Sequence, residues 1–396
     1  MCDVNIALST PEDGGYMAQD PRSRTRWLGV RRVPVVVLVC LFGFFSMGRL
    51  PLLVAQSTLG DPLPEVLKNE QDDSTLRRFE AQKLAMGVLF KLVGYAKSEE
   101  QARFATAEAF SRIDFLNSVF SDYDPSSETS RLSRDASPGN WLGVSSDMHR
   151  VLSASQKISK ASSGAFDLTV GPLSHLWRNV RKTQSLPAIG LLEAAQQKVD
   201  AQSVEVHPFA HLLRFKRGNI ELDFGGIAKG YAADQALKVL RKNGVRSALI
   251  DASGDVSFSD PPPGRSSWVV AVAPLEKNGP PVHRLSMKQN AVATSGDAWQ
   301  FVEIEGVRYS HIIDPRTGWA IRGRQSVTII GPDGAKADAW ASALSVMGHQ
   351  EGLTLVETLK GIEALYIVAN EGAVQTYQSS GFESYLHEAP VQERAP

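Results

Sequence analysis

The sequence predicts an α+β fold, layered mixed sheets with flanking helices, and three observations predict it. Between residues 98 and 120, Phe104, Ala105, Ala109, Ile113, Leu116 and Phe120 fall on one stripe of helical period, an amphipathic helix. From 248 to 330 strand-type segments follow one another instead, with Glu305-Gly306 at the tip of a hairpin. Helices and strands are interspersed without a regular βαβ rhythm or an internal repeat, which argues against a doubly wound parallel sheet.

The other elements follow in chain order. Residues 84–93 have the apolar content of a first strand, and a second helix covers 146–162, capped by Ser146 and stopped by Gly164. A short helix is expected at 194–199. Strands at 203–206 and 212–216 lead into a turn at Arg217-Gly218, from which 219–224 returns as a hairpin partner. Residues 226–243 form a helix ended by Gly244. Residues 335–347 form the next, followed by 352–359 and a closing pair of strands near 364–368 and 373–377.

Forty-two basic residues balance 43 acidic ones, so the chain carries no strong field toward nucleic acid, and no nucleic-acid partner is expected. The two cysteines, Cys2 and Cys40, both precede the expected folded domain, which excludes thiol chemistry, a disulfide framework and a cysteine metal site there. Arg22, Arg24, Arg26, Arg31 and Arg32 precede an apolar run at 33–47, the length of a signal-peptide core and short for a membrane span. Residues 1–55 are therefore expected to export the chain, as a cleaved signal or a retained anchor, with Met17 an alternative start. Residues 56–78 read as a polar tether and 79–390 as one folded domain.

Four stretches can carry chemistry. Asp223-Phe224-Gly225-Gly226-Ile227-Ala228-Lys229-Gly230-Tyr231 runs from a strand into a helix: its glycines let backbone approach a phosphate, and the helix start supplies free N–H donors. The spacing is neither that of a P-loop nor that of a Rossmann turn, and a plain tight turn with a surface lysine is the other reading. Asp338 and Ser342 lie four apart on one helix face, oxygen donors that suit a hard cation such as Mg²⁺; a helix-start carboxylate with a back-bonded hydroxyl is the alternative. His311-Ile312 ends a strand before the turn Asp314-Pro315-Arg316-Thr317-Gly318, where a histidine serves either as acid/base or as a structural hydrogen-bonder. Ala293-Thr294-Ser295-Gly296 is a small polar turn that is weak alone. Two loops, Ala165-Phe166-Asp167 and Ser121-Asp122-Tyr123-Asp124, set an aromatic beside carboxylates, which suits a flavin or purine as well as simple packing. The remaining histidines show no metal-ligand spacing and read as structural or surface residues.

Taken in order, these stretches resemble the FAD:protein FMN transferase (ApbE) family. The likeness runs from Met86-Gly87 through Tyr123-Asp124-Pro125, Gly164–Thr169, Gly225–Asp234, Ala293–Gly296 and His311–Gly318 to Asp338–Leu344. It implies an ApbE-like, T-fold-related domain. It also implies FAD contacts at Met86, Tyr123, Ala165, Phe166, Asp167, Gly225, Lys229, His311 and Ile312, and magnesium ligands at Asp338, Ser342 and the Ala228 carbonyl. The sequence departs from the family pattern at Val88, Ser133, Ser253 and Ser342, where Thr, Asn, Gly and Thr are usual; none of these removes the metal or phosphate positions.

The resemblance implies a Mg²⁺-dependent transfer of FMN from FAD to a Thr or Ser hydroxyl of an acceptor flavoprotein, with AMP released and with His311 and Asp338 as catalytic candidates. The acceptor it implies is a subunit of a membrane redox complex, reached in the periplasm or on the outer face of the inner membrane. Two rivals stay open: a Mg²⁺-dependent FAD pyrophosphatase, which uses water as acceptor and needs the same residues, and a non-enzymatic exported flavin-binding or storage protein whose metal site is weak.

Overall fold

The structure, a computed structural model, describes residues 76–275, 279–296, 300–370 and 373–387. The expected export segment and nearly all of the expected tether lie outside the described residues. Among the described residues no helix is long and apolar enough to cross a membrane.

An eight-stranded antiparallel sheet forms the centre, in the order β1 (Arg77–Ala85), β2 (Val88–Ala96), β6 (Ala248–Ala252), β7 (Val256–Phe258), β10 (Ala291–Gly296), β14 (Arg324–Gly331), β15 (Glu363–Asn370) and β16 (Ala373–Gln378). Its central strands are apolar on both faces because both are covered. Ile250, Ala293, Ile329 and Tyr366 point into one core, and their neighbours Leu249, Val292, Ile330 and Leu365 into another, the two-residue period of a strand. Three helices cover the first face: α1 (Glu99–Phe120), α6 (Ala228–Lys242) and α7 (Gly334–Val356). The hairpin of β8 (Trp268–Val272) and β9 (His283–Met287) covers the second.

Smaller elements surround this frame. They are α2 (Glu128–Arg134), α3 (Ser146–Ala161), α4 (Gly171–Thr183) and α5 (Ile189–Gln196), with a sheet of β3 (Trp141–Gly143), β5 (Leu212–Phe215) and β4 (Val204–Val206). A second small sheet joins β11 (Phe301–Ile304), β12 (Val307–Ile313) and β13 (Ala320–Arg322). The α+β layering expected from the sequence is present, and so is the Glu305-Gly306 hairpin tip, with φ of 52° and 74°.

Several boundaries differ from expectation. The apolar run at 84–93 is not one strand: Met86 and Gly87 take φ of 50° and 73°, a two-residue turn, and the chain folds back with Ala85 opposite Val88. Segment 219–224 is not a strand either. The Asp223 N–H donates to the Leu168 carbonyl at 2.8 Å and the Leu222 N–H to the Ser133 hydroxyl at 3.0 Å, so a remote loop and α2 take its backbone and β3 becomes the partner of β5. Phe104, placed on the buried stripe of α1, is 59% exposed, and Val119 takes its place in the core. Ser145, not Ser146, caps α3, its hydroxyl accepting from Met148 N–H at 3.1 Å. The short helix α5 starts and ends ahead of its expected position at 194–199.

Candidate active site

Helices α6 and α7 cross where glycine lets their backbones meet. One end of α7 is tied to α6 by Asp234, whose carboxylate accepts the N–H groups of Gly334 (2.8 Å) and Ala335 (3.1 Å) and the Ser257 hydroxyl (2.8 Å). Burial pushes the Asp234 carboxyl up to about 6 against the pull of those hydrogen bonds. This clamp sets the register in which Asp338 and Ser342, on α7, face the start of α6.

At the crossing, the Lys229 ammonium is ringed by oxygen. It lies 3.0 Å from Asp255, 3.3 Å from Asp338 and 3.1 Å from the Gly225 carbonyl, which accepts its proton. Asp338 is 2% exposed and also accepts the Gly230 N–H at 3.2 Å. Burial alone would lower the Lys229 pKa, but the carboxylates of Asp255 and Asp338 overturn this and hold it well above the usual lysine range. Burial, reinforced by the Asp338 charge, pushes the Asp255 carboxyl up to about 7 despite Lys229. Ser342 completes the group: a Cβ on Gly226 would stand 2.8 Å from its hydroxyl. That hydroxyl has no hydrogen-bond partner among the described residues, whereas Ser345, three residues on, back-bonds to the Ala341 carbonyl at 2.7 Å. The back-bonded alternative for Ser342 is thus not what the helix adopts. Ala228 is the first residue of α6, directly beside this group.

The donor set fits a hard cation. Two carboxylates and a carbonyl already surround a positive charge, and an uncommitted hydroxyl faces the same glycine turn; such oxygens are the ligands Mg²⁺ takes, alongside phosphate and water.

The aromatic positions divide. Phe166 is 6% exposed and packs against the glycine turn, its ring 3.3 Å from where a Gly226 Cβ would stand, while Ala165 is buried beside it. Tyr123 is 75% exposed, with the Arg178 guanidinium 4.4 Å from its ring centre, and is the aromatic free to meet a flat ring. Arg178 also pairs with Asp122 and, at 3.2 Å, with Asp223, whose other oxygen accepts the Gly225 N–H at 2.7 Å. One arginine therefore ties the Tyr123 loop to the glycine turn. Asp167 turns inward: its carboxylate accepts Thr169 N–H and hydroxyl, both at 2.7 Å, and Ala201 N–H at 3.0 Å, holding its own loop.

His311 is partly buried on β12, its Nδ1 3.2 Å from the Gln300 carbonyl. A carbonyl only accepts, so Nδ1 carries the proton and Nε2 is left with the lone pair. Burial, aided by the charges of Arg181 and Lys229, lowers its pKa to about 4. Ile312 is set by its N–H to the Ser310 hydroxyl (3.2 Å), and Met86 stands at the β1–β2 turn, packed against the main core. Helix α4 joins these regions, since the Trp177 indole donates to the Gly318 carbonyl at 2.8 Å and its ring lies 5.5 Å from that of Tyr309.

Sequence reasoning did not single out Asp255, Asp234, Arg178 or Arg181. Asp255 was signalled only by its nearness to Ser253, which holds φ of 56° at a position where the resemblance leads one to expect glycine. Ser133, likewise a departure, uses its hydroxyl to hold Leu222.

With that geometry in hand, comparison with known proteins is informative. The ApbE family model matches residues 86–366. The FAD:protein FMN transferase of Salmonella typhimurium is 27% identical over 308 residues, covering 76% of this chain and 87% of the relative. That of Vibrio cholerae is 29% identical over 283 residues, covering 69% and 82%. Among solved structures, the flavin transferase ApbE from Vibrio cholerae aligns with TM-score 0.70 at 26% identity, over 78% of this chain and all of the other. The ApbE protein from Thermotoga maritima aligns with TM-score 0.71 at 28% identity, over 79% and 100%. The chain belongs to the ApbE family.

Proposed function

We propose that this protein transfers FMN from FAD to a Thr or Ser hydroxyl of an acceptor flavoprotein and releases AMP, with Mg²⁺ as cofactor. The observation that carries this reading is the ring of Asp338, Asp255 and Gly225 oxygens around Lys229, beside the free Ser342 hydroxyl and at the start of α6. The relatives named FAD:protein FMN transferase supply the reaction.

Asp338, Ser342 and the Ala228 carbonyl would hold the magnesium ion, which supplies charge neutralisation on the pyrophosphate when bound. The chain's own groups do the rest. The start of α6 and Lys229 bind the pyrophosphate, and Tyr123 stacks on a ring of the dinucleotide. The acceptor hydroxyl oxygen attacks the FMN phosphorus. As that P–O bond forms, the P–O bond to AMP breaks, AMP leaves with the electron pair, and the hydroxyl proton passes to Nε2 of His311. Positioning and electrostatics dominate catalysis of this kind.

The deciding assay is AMP release from FAD by the full chain, with and without Mg²⁺ and an acceptor flavoprotein. The expected result is Mg²⁺-dependent, acceptor-dependent AMP together with flavin fluorescence retained on the acceptor in a denaturing gel. AMP without acceptor would mean a pyrophosphatase, and bound FAD with no AMP a binding protein.

The state of His311 gives a second prediction. Because its pKa is depressed, the imidazole is neutral at pH 7, with Nε2 unprotonated, and gains its proton only on strong acidification. The profile of kcat/KM should therefore show an acid limb near pH 4, below the ordinary histidine range. His311→Asn should lower the rate on the order of 10²–10⁴-fold and abolish that limb. An unchanged rate in the variant removes the base role.

The arginine-flanked apolar run at 33–47 supports export to the periplasm or the outer face of the inner membrane, with residues 1–55 as signal or anchor and 56–78 as tether. This fits an acceptor that is a subunit of a membrane redox complex.

A further inference from the structure

A cavity of about 530 Å³ opens between α3, α6, the start of α7 and the β9–β10 turn. None of Tyr123, Lys229, Asp255, His311, Asp338 or Ser342 lines it. Along α6 its lining includes Tyr231, Asp234, Lys238 and Arg241, one helical stripe continued by the N-cap Ile227, while Lys229 leaves the helix from another face.

The cavity has apolar walls, one buried amide and a basic mouth. Val151, Ile227, Leu237, Phe258 and Pro332 supply the walls. Gln235 is 8% exposed and its amide has no hydrogen-bond partner among the described residues. Its amide atoms keep some accessible surface, and the residue lines the cavity. With no protein partner, this amide is available to exchange hydrogen bonds with a bound group.

The other polar groups of the lining are already engaged. Asp234 is spent on α7 and Ser257, and Asp333 takes the Lys336 N–H at 2.9 Å and its ammonium at 2.6 Å. Gln289 donates to Asp260 at 2.7 Å, Arg241 pairs with Asp260 at 2.6 Å, and Asn290 accepts the Lys288 N–H at 3.0 Å. Lys238 is exposed and has no ion pair among the described residues, and Arg150 approaches Asp147 only at 3.9 Å. Of the four cations in the lining, Arg241 pairs with Asp260, Lys336 with Asp333 and Arg150 loosely with Asp147, which leaves Lys238 as the one without an ion pair among the described residues and able to meet an anion at the mouth.

We propose that this cavity is a second ligand site, for a small anion with a flat heterocyclic body, the class to which purine mononucleotides belong. The ring edge exchanges hydrogen bonds with Gln235, the ring face lies on the apolar walls, and the anionic group meets Lys238 and Arg150 at the mouth. The volume falls within the range of small-molecule sites. This site does not depend on the flavin-transfer reading.

AMP is the probe, titrated by calorimetry into the full chain carrying Asp338→Asn, which cripples the other site. Saturable binding is expected there, weakened about tenfold by adding Gln235→Leu and about tenfold by adding Lys238→Glu. Lys238 is on the surface, so its variant tests the proposal even where Gln235→Leu misfolds. No saturable binding in the Asp338→Asn background overturns the proposal. So does binding that Gln235→Leu, folded by circular dichroism, and Lys238→Glu both leave unchanged.

Discussion

Asp338→Asn is expected to lower flavin transfer by about 10³-fold while moving the melting temperature by only a few degrees, whereas Asp338→Ala should lose both activity and stability. The carboxylate has three tasks at one buried point: it pairs with Lys229, accepts the Gly230 N–H, and offers a negative oxygen to a cation. Asparagine keeps the volume and an acceptor for Gly230, so the crossing of α6 and α7 survives, but its charge is gone. Alanine also leaves the Gly230 N–H without a partner, which costs roughly 1–3 kcal/mol, and leaves Lys229 with Asp255 as its remaining carboxylate. The pair of variants thus separates charge from scaffolding. Measured under saturating Mg²⁺ and FAD, an Asn variant within tenfold of the parent rate would remove Asp338 from the proposed metal site.

What the sequence discloses about this protein depends on whether the causes are local. Helix α6 is legible because its glycine-rich start, its helical stripe and Gly244 at φ of 80° are contiguous. The Glu305-Gly306 hairpin is legible for the same reason. Strand β1 is not, because it is the sheet edge: its residues alternate between exposed and half-buried, so it carries no apolar run, and only its end at 84–85 entered the expected first strand. Helix α4 was missed because its stripe is three residues, Leu173, Trp177 and Val180, among Arg, Asn and Lys. Segment 219–224 looks like a strand, yet its backbone is tied by Leu168 and Ser133, partners that no local pattern announces.

The site divides along the same line. Gly225, Ala228, Lys229, Asp338 and Ser342 sit in two recognisable segments, and the structure brings those segments together. Asp255, Asp234 and Arg178 act only through that convergence. Asp255 is a strand-start carboxylate until α7 sets Asp338 on the other side of Lys229. Arg178 is a surface helix charge until Asp122 and Asp223 close around it.

That convergence includes a direct backbone-to-backbone contact, so Gly230→Ala should be strongly damaging. A Cβ on Gly230 would fall inside the van der Waals shell of the Gly334 carbonyl, backbone that cannot rotate away. Reciprocally, a Cβ on Gly334 would lie 2.6 Å from the Gly230 carbonyl oxygen. The methyl must push α6 and α7 apart, against the Asp234 clamp one turn further along. Overpacking of this kind costs about 3 kcal/mol, which for a domain of this size lowers the melting temperature by roughly 5 °C or more. Activity should fall further than stability. Separating the helices moves Asp338 from Lys229 and Ser342 from the Gly226 turn together, and a displacement of about 1 Å at a catalytic group costs on the order of 10²-fold. Gly190→Ala is the control: it lies within α5 with nothing within 4 Å of its Cβ position, so alanine should leave activity unchanged and stabilise by about 0.5–1 kcal/mol. If Gly230→Ala melted within a degree of the parent and turned over at its rate, the two helices would not meet backbone to backbone. The proposed metal position and phosphate cradle would then have to owe their arrangement to something other than this crossing.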